Sequence, residues 1–395
     1  MSYTKIVLKS GKDQSLYRRH PWVFSGAIKK IYGPLNEGDV VEVFNNKDEY
    51  LATGHYQIGT IAVRVLSFEQ ADPGYDLWIK RIQNAWQLRE QSGIRNATTN
   101  VFRLINAEGD GMPGLIIDYY NGVAVMQMHS IGMYRAKDEI IKALQDVLGD
   151  ALIAVYDKSE GTIPFKSGIE PKNGYVWGEA PRTDHIVLEN GLKFKPNWVE
   201  GQKTGFFIDQ RYNRALLGEY AKGRKVLNMF CYTGGFSVYA LKGGASLVHS
   251  VDSSQGAIAL TRENVALNGF DPVRHEAFAT DAFGYLDNMD NSYDLIILDP
   301  PAFAKHNNVL HNALQGYKKL NAKAFDKIKP GGILFTFSCS QVVSKDNFRK
   351  SVFAAAANSG REVRILHQLT QPADHPVNIY HPEGEYLKGL VLYVN

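Results

Sequence analysis

Only two cysteines, Cys231 and Cys339, occur in 395 residues. That is too few for a disulfide scaffold or a cysteine-rich zinc site. No apolar run is long enough to span a bilayer, and the N-terminus lacks the apolar core of a signal peptide. A reducing cytoplasm is therefore the expected compartment, with no membrane partner. Internal repeats, low-complexity tracts and long flexible linkers are also missing. The Gly-x-Gly-x-x-Gly spacing of dinucleotide sites is absent too, which disfavours a pyrophosphate cofactor. No resident metal is expected. Asp110, Asp118 and Asp157 read as turn and strand-end acids rather than ligands. What remains is an ordinary globular composition, 44% hydrophobic and 22% charged, in a chain long enough for two or three domains.

Net charge is only +3, but it is unevenly spread. Residues 1–30 carry seven cations (Lys5, Lys9, Lys12, Arg18, Arg19, Lys29, Lys30) against the single acid Asp13. Tyr3, Tyr17, Trp22 and Phe24 are interleaved with them. Cations neutralise phosphates and aromatic faces stack on unpaired bases, so this mixture suits RNA.

Three regions follow from the patterning: a β-rich module over residues 1–70, a small α+β domain over 71–183, and an α/β domain over 184–395. In the first, Val40–Phe44 alternates apolar and polar positions, Asn45-Asn46-Lys47-Asp48 supplies turn chemistry, and Tyr50–Tyr56 returns. In the second, helices are expected over 77–92 and 135–148 among short strands. The third begins with a hairpin around Glu189-Asn190-Gly191. Beyond the helix starting near Tyr212, strands alternate with helices, which means βαβ units and a mainly parallel sheet.

The third region contains a strand–glycine turn–helix–strand–acid unit. Val226–Phe230 leads into Cys231-Tyr232-Thr233-Gly234-Gly235, a helix follows, and Leu247–Val251 ends in Asp252. Glycines let backbone approach a ligand closely, and Asp252 is placed to bond two ribose hydroxyls. An adenosine ligand without phosphates, S-adenosylmethionine, fits this unit. Open parallel sheets bind ligands at the carboxyl ends of their strands. The next such ends carry Asp281-Ala282, Asp299-Pro300-Pro301-Ala302-Phe303 and Ser338-Cys339-Ser340. Asp281 could accept from an adenine amine. The two prolines make a stiff loop that cannot continue a strand, aiming Asp299 at a planar base with Phe303 near enough to stack.

Two sets of motifs now coincide. His20–Gly26, Gly38–Phe44 and Gly59–Leu66 resemble a PUA domain, an RNA-binding pseudobarrel. Leu227-Asn228-x-Phe230-x-Tyr232-Thr233-Gly234-Gly235-Phe236, Thr204-Gly205-Phe206-Phe207-Ile208-Asp209-Gln210-Arg211, Asp299-Pro300-Pro301-Ala302-Phe303 and Ser338-Cys339-Ser340 resemble the PUA-containing, S-adenosylmethionine-dependent 23S rRNA cytosine-C5 methyltransferases. The resemblance covers essentially the whole chain. It implies a PUA domain, a central α+β domain and a class I, Rossmann-like methyltransferase domain. Cys231 departs from it, standing where a serine or small residue is usual.

The resemblance further implies a cofactor site of Phe207, Asp209, Gln210, Phe230, Tyr232, Thr233, Gly234, Gly235, Asp252, Ser253, Asp281, Ala282 and Asp299. RNA contacts are expected at Lys5, Lys9, Arg18, Arg19, Pro300, Pro301 and Phe303. Cytosine C5 is a poor nucleophile, and attack of a thiolate on C6 converts it into an enamine carbon. Cys339 is the expected nucleophile and Asp299 its partner at the base. Glu383, with Glu385 as the alternative, is the expected acceptor of the C5 proton. Expected partners are 23S rRNA or a large-subunit assembly intermediate, and a second copy as a homodimer. Two other functions suit the same residues: methylation of an exocyclic base amine, and a non-enzymatic RNA-binding assembly factor.

Overall fold

A computed structural model of the chain describes residues 3–164, 168–179, 185–304 and 306–395. The expected domain boundary at 183/184 lies outside the described residues. Two compact units are formed. The first comprises Met1–Leu188, Pro196–Ile208 and Ala373–Gly384, and the second Glu189–Lys195, Asp209–Pro372 and Glu385–Asn395.

In the first unit, strands β1 (Thr4–Leu8), β2 (Trp22–Phe24), β3 (Ile28–Tyr32), β4 (Val40–Phe44), β5 (Tyr50–Tyr56) and β6 (Ile61–Ser67), with the short helix α1 (Gln14–Tyr17), build the N-terminal module. The sheet order is β2-β6-β5-β4-β1-β3. Alternation works as the pattern predicts: Val41 and Val43 are buried while their neighbours are half-exposed. They join Ile6, Leu8, Val23 and Val63 in one core. Gly54 is required here, because a Cβ on it would lie 2.3 Å from the Arg64 carbonyl oxygen.

The same unit holds a second sheet of β7 (Val101–Asn106), β8 (Leu115–Tyr120), β9 (Val123–Met128), β10 (Ala154–Asp157) and β11 (Gly174–Gly178), in the order β11-β10-β9-β8-β7. Helix α2 (Tyr75–Gln91) packs on it through Trp78 and Ile82. The helix expected over 135–148 is α4 (Lys137–Leu148), and a short helix α3 (Ile131–Arg135) precedes it. Ser130 caps α3 by accepting from Met133 N. The three acids are spent on cations: Asp110 on Arg89 (2.5 and 2.7 Å), Asp118 on Arg103 (2.8 and 3.0 Å), and Asp157 on Lys137 (3.1 Å).

Three pieces of chain assigned from sequence to the C-terminal domain fall in this first unit: the chain up to Leu188, Pro196–Ile208 and Ala373–Gly384. Thr204 is buried and donates to Asp118 (2.5 Å). Residues 373–384 are held by long-range polar contacts that no local pattern encodes. The Asp374 carbonyl accepts from Arg89 Nη2 (2.9 Å), its carboxylate from Arg103 N (3.1 Å), and the Pro376 carbonyl from Asn106 Nδ2 (2.9 Å).

Further along the chain, β12 (Val187–Glu189) and β13 (Leu192–Phe194) follow one another through Asn190 and Gly191, both left-handed at φ 52° and 77°. The second unit then contains α5 (Arg211–Tyr220), β14 (Lys225–Met229), α6 (Gly235–Lys242), β15 (Leu247–Asp252), α7 (Gln255–Leu267), β16 (His275–Ala279), α8 (Ala282–Asn288) and β17 (Leu295–Leu298). It closes with α9 (Leu310–Lys327), β18 (Gly332–Ser338), α10 (Lys345–Ser359), β19 (Val363–Leu369) and β20 (Lys388–Val394). The sheet order is β16-β15-β14-β17-β18-β20-β19. Six strands run in one direction, and β20 runs antiparallel to both of its neighbours, β18 and β19. Strands β14, β17 and β18 are almost wholly buried, as a sheet covered on both faces requires. Strand order reverses at β14, so the carboxyl ends of β14, β15 and β17 border the crevice where such sheets take ligands.

Candidate active site

The turn after β14 is held in an unusual backbone conformation. Phe230 (φ 58°), Tyr232 (φ 46°) and Gly234 (φ 78°) are all left-handed. Two aromatic residues in that region carry strain, which persists only where the surroundings enforce it. Enforcement comes from Cys231 N donating to the Val251 carbonyl (3.0 Å) and Tyr232 N donating to Asp252 Oδ2 (2.9 Å). Protein also packs closely against the two glycines. A Cβ on Gly234 would lie 2.6 Å from Thr261, and one on Gly235 would lie 2.9 Å from the Arg214 side chain.

Acids line the strand ends beside this turn. Asp252 is half-exposed at the end of β15, with Oδ1 accepting from Ser254 N (2.9 Å). Asp281 caps α8 through Oδ2 on Gly284 N (2.7 Å) and is otherwise exposed. Asp299 follows β17. Ser253 is exposed, and Ala282 and Thr233 are buried. The three carboxylates accept from hydroxyls and amines, attract a sulfonium or ammonium charge, and repel a polyphosphate.

The strand-end cysteine lies next to the proline loop, because β17 and β18 are parallel neighbours. Cys339 is half-buried, with Sγ 4.0 Å from the Pro300 carbonyl oxygen. Ser340 Oγ donates to the Ala304 carbonyl (2.5 Å), fastening the cysteine turn to that loop. Asp299 is oriented from below, since Gln210 Nε2 donates to its Oδ2 (3.0 Å) and Asn213 Nδ2 donates to Gln210 Oε1 (2.6 Å). Tyr317 of α9 donates its place to the same cluster, accepting from Ser338 Oγ (2.9 Å). Burial pushes its phenol up to about 12, and the charges of Cys339 and Asp299 add to that rise. Cys231 is a different thiol. It is buried beside Ile258 and Ala277, 3.8 Å from Thr261 Oγ1, and burial followed by the Asp252 charge pushes it far up.

Comparison with known proteins decides what this architecture belongs to. Residues 112–382 match the family model described as S-adenosylmethionine-dependent methyltransferase, and residues 6–68 match a PUA-like domain. Ribosomal RNA large subunit methyltransferase I of Tolumonas auensis is 40% identical over 98% of this chain and 99% of its own. The protein of the same name from Alteromonas mediterranea is 41% identical over 99% of this chain and 98% of its own. The chain belongs to the family of ribosomal RNA large subunit methyltransferase I.

It is an S-adenosylmethionine-dependent methyltransferase with an N-terminal PUA-like domain. A structure assigned as a SAM-dependent methyltransferase from Streptococcus mutans covers all of both chains at 25% identity and a TM-score of 0.85. Another, assigned as a methyltransferase and solved in complex with SAH, does so at 26% identity and the same TM-score. The anionic strand ends suit this cofactor. With Asp252 as the ribose partner expected from the strand–turn–helix–strand unit, Asp252→Ala should weaken S-adenosylmethionine binding by about 1.5–3 kcal/mol, the worth of a charge-assisted hydrogen bond. Calorimetry reads it, and an unchanged affinity would remove the ribose from this position.

Other residues singled out from the methyltransferase motifs have more specific places than the motifs imply. Asp209 is buried and accepts from Tyr386 OH (2.7 Å), and Gln210 is buried under Asp299, so both support the wall of the site. Phe207 lies in the first unit, with the Lys203 ammonium 5.0 Å from its ring centroid. Phe303 is half-buried. Its ring packs on Tyr317 at 4.7 Å and over Gly316, where a Cβ would lie 3.0 Å from it. Pro300 is buried and Pro301 exposed.

The two candidate bases separate. Glu383 belongs to the first unit, 3.4 Å from His20 and 3.7 Å from His381. Glu385 belongs to the second, paired with Lys345 at 2.6 Å. In the PUA-like module, Lys5 is paired with Asp48 and lies over Phe44, and Lys9 donates to the Gly26 carbonyl (2.9 Å). Arg18 and Arg19 are exposed, beside an exposed Tyr17. Sequence reasoning missed Asn213, Tyr317 and Lys388. Only Lys388 left a signal, as a lone cation in the apolar run Leu387–Val394.

Proposed function

We propose that the chain transfers a methyl group from S-adenosylmethionine to C5 of a cytosine in 23S rRNA, free or in a large-subunit assembly intermediate. The observation that carries this reading is the half-buried Cys339 thiol beside the Pro300 carbonyl and the oriented Asp299. Methylation of an exocyclic amine needs an acceptor loop but no thiol. The relatives' names supply the ribosomal RNA, and the exposed Arg18, Arg19 and Tyr17 suit its phosphates and bases.

Asp252, Asp281 and the Phe230–Gly235 turn would hold S-adenosylmethionine, which would supply an electrophilic methyl group. Asp299 accepts from the cytosine N4 amine and shares a proton with N3, fixing the base in the site. Cys339 Sγ, as the thiolate, bonds to C6 as the C5–C6 π pair is displaced, and C5 takes the methyl group as the sulfonium S–CH3 bond breaks, leaving S-adenosylhomocysteine. A carboxylate of the 383–385 segment then removes the C5 proton. The Sγ–C6 bond breaks, C5=C6 reforms, and Cys339 is released. A base in a helix must first leave its stack.

RNA carrying 5-fluorocytosine at the target tests this sequence of bonds, since fluorine cannot leave as a proton. A denaturation-resistant protein–RNA adduct that maps to the Cys339 peptide is the expected result. Methylation of ordinary RNA with no adduct would assign the exocyclic amine instead.

A further inference from the structure

Lys388 opens β20 inside an apolar strand and is 6% exposed. It stands across from Ser338 in the antiparallel register with β18. Its Nζ donates to the Ser340 carbonyl (2.5 Å) and to the Val343 carbonyl (2.7 Å). The cysteine therefore lies between the residue opposite Lys388 and the residue it grips. Both acceptors are neutral, and among the described residues no carboxylate lies within ion-pair distance of Lys388. A buried ammonium ion is costly, and proteins usually pair it with an anion. The group here that can become an anion is the thiol.

We infer that Lys388 is a positioning residue for Cys339: its ammonium group clamps the 338–343 turn that presents the thiol and supplies the charge that stabilises the thiolate. The inference rests on Cys339 being the nucleophile. A neighbouring cation favours the thiolate over the thiol and so makes more nucleophile available near neutral pH. The other charged groups around the pair do not replace it. Asp299 opposes a thiolate, Tyr317 stays a neutral phenol, and Lys345 is paired with Glu385. Lys388 itself is depressed to about 8, first by burial and then by Lys345, against the pull of Cys339. It is thus mostly charged at neutral pH, and its contribution fades as pH rises past 8.

The test is the pH profile of Cys339 alkylation by iodoacetamide in the intact protein, with the modified peptide quantified by mass spectrometry. In Lys388→Gln, which keeps an N–H donor but no charge, the midpoint should rise by about one pH unit, making alkylation roughly tenfold slower near pH 7. Lys388→Arg, which keeps donor and charge, should restore the lower midpoint. In the methylation assay, Lys388→Gln should lower kcat at neutral pH with little change in the KM for S-adenosylmethionine. An unshifted alkylation midpoint in folded Lys388→Gln overturns the inference, as does a Lys388→Arg protein that behaves like Lys388→Gln. The fluorocytosine adduct keeps the two readings apart. An adduct at Cys339 with an unmoved midpoint sinks the role of Lys388 alone. A moved midpoint with no adduct sinks the nucleophile and leaves the charge coupling intact.

Discussion

Cys339→Ala is expected to lower methyl transfer by about 10⁴-fold or more, the order lost when a covalent nucleophile is removed. S-adenosylmethionine and RNA affinities should stay within about twofold, because the thiol acts on the base only as the bond to C6 forms. Single-turnover kinetics with calorimetry separates the two effects. Cys231→Ser should retain most activity, since that thiol is buried against α7 and β16 and is held protonated by burial and by Asp252. Position in the sheet gives the same answer. Cys231 follows β14 on the side of β15 and α7, whereas Cys339 follows β18, next to the loop that carries Asp299. A Cys339→Ala enzyme that still methylates, or an adduct on Cys231, would reverse the assignment.

Glu189→Ala should be the most destabilising single change in the second unit, by about 3–5 kcal/mol. The Glu189 side chain is fully buried and takes a two-pronged contact from Arg214, with Nε at 2.9 Å and Nη2 at 2.7 Å. Arg211 Nε lies 3.4 Å from the same carboxylate, and both arginine side chains are at most 3% exposed. Removing the carboxylate leaves two guanidinium groups buried beside one another, so repulsion adds to the lost pairing. Melting of the intact protein should begin roughly 10 °C lower, at a few degrees per kcal/mol for a unit of this size. Cofactor affinity should fall as well, because the Arg214 side chain fills the space beside Gly235. A melting shift of only one or two degrees would mean that the arginines find other partners.

Much of this molecule follows from local pattern. Alternation in Val40–Phe44, the Asn190-Gly191 turn, and the order strand, glycine turn, helix, strand, acid over 226–252 are all properties of neighbouring residues. Each rests on a short-range cause: the two-residue period of a strand, left-handed backbone at Asn and Gly, or prolines that end a strand at Asp299. The general rule for open sheets then picks out Asp252, Asp281, Asp299 and Cys339 without knowledge of any distance.

Partnership between distant residues was decided only by the tertiary structure. Gly234 and Gly235, read from sequence as room for a ligand, also sit against Thr261 and Arg214. Phe303, read from sequence as a stacking ring, also packs on Tyr317 of α9. Gln210 lies 89 residues from the Asp299 it orients. Residues 373–384 join the first unit through Arg89, Arg103 and Asn106, more than 260 residues earlier. Lys388 meets the cysteine turn only because β20 inserts antiparallel between β18 and β19. A residue's own neighbours report whether its side chain is buried. What it is buried against depends on strand order and register, which are set by the summed packing of the whole sheet rather than by any one segment.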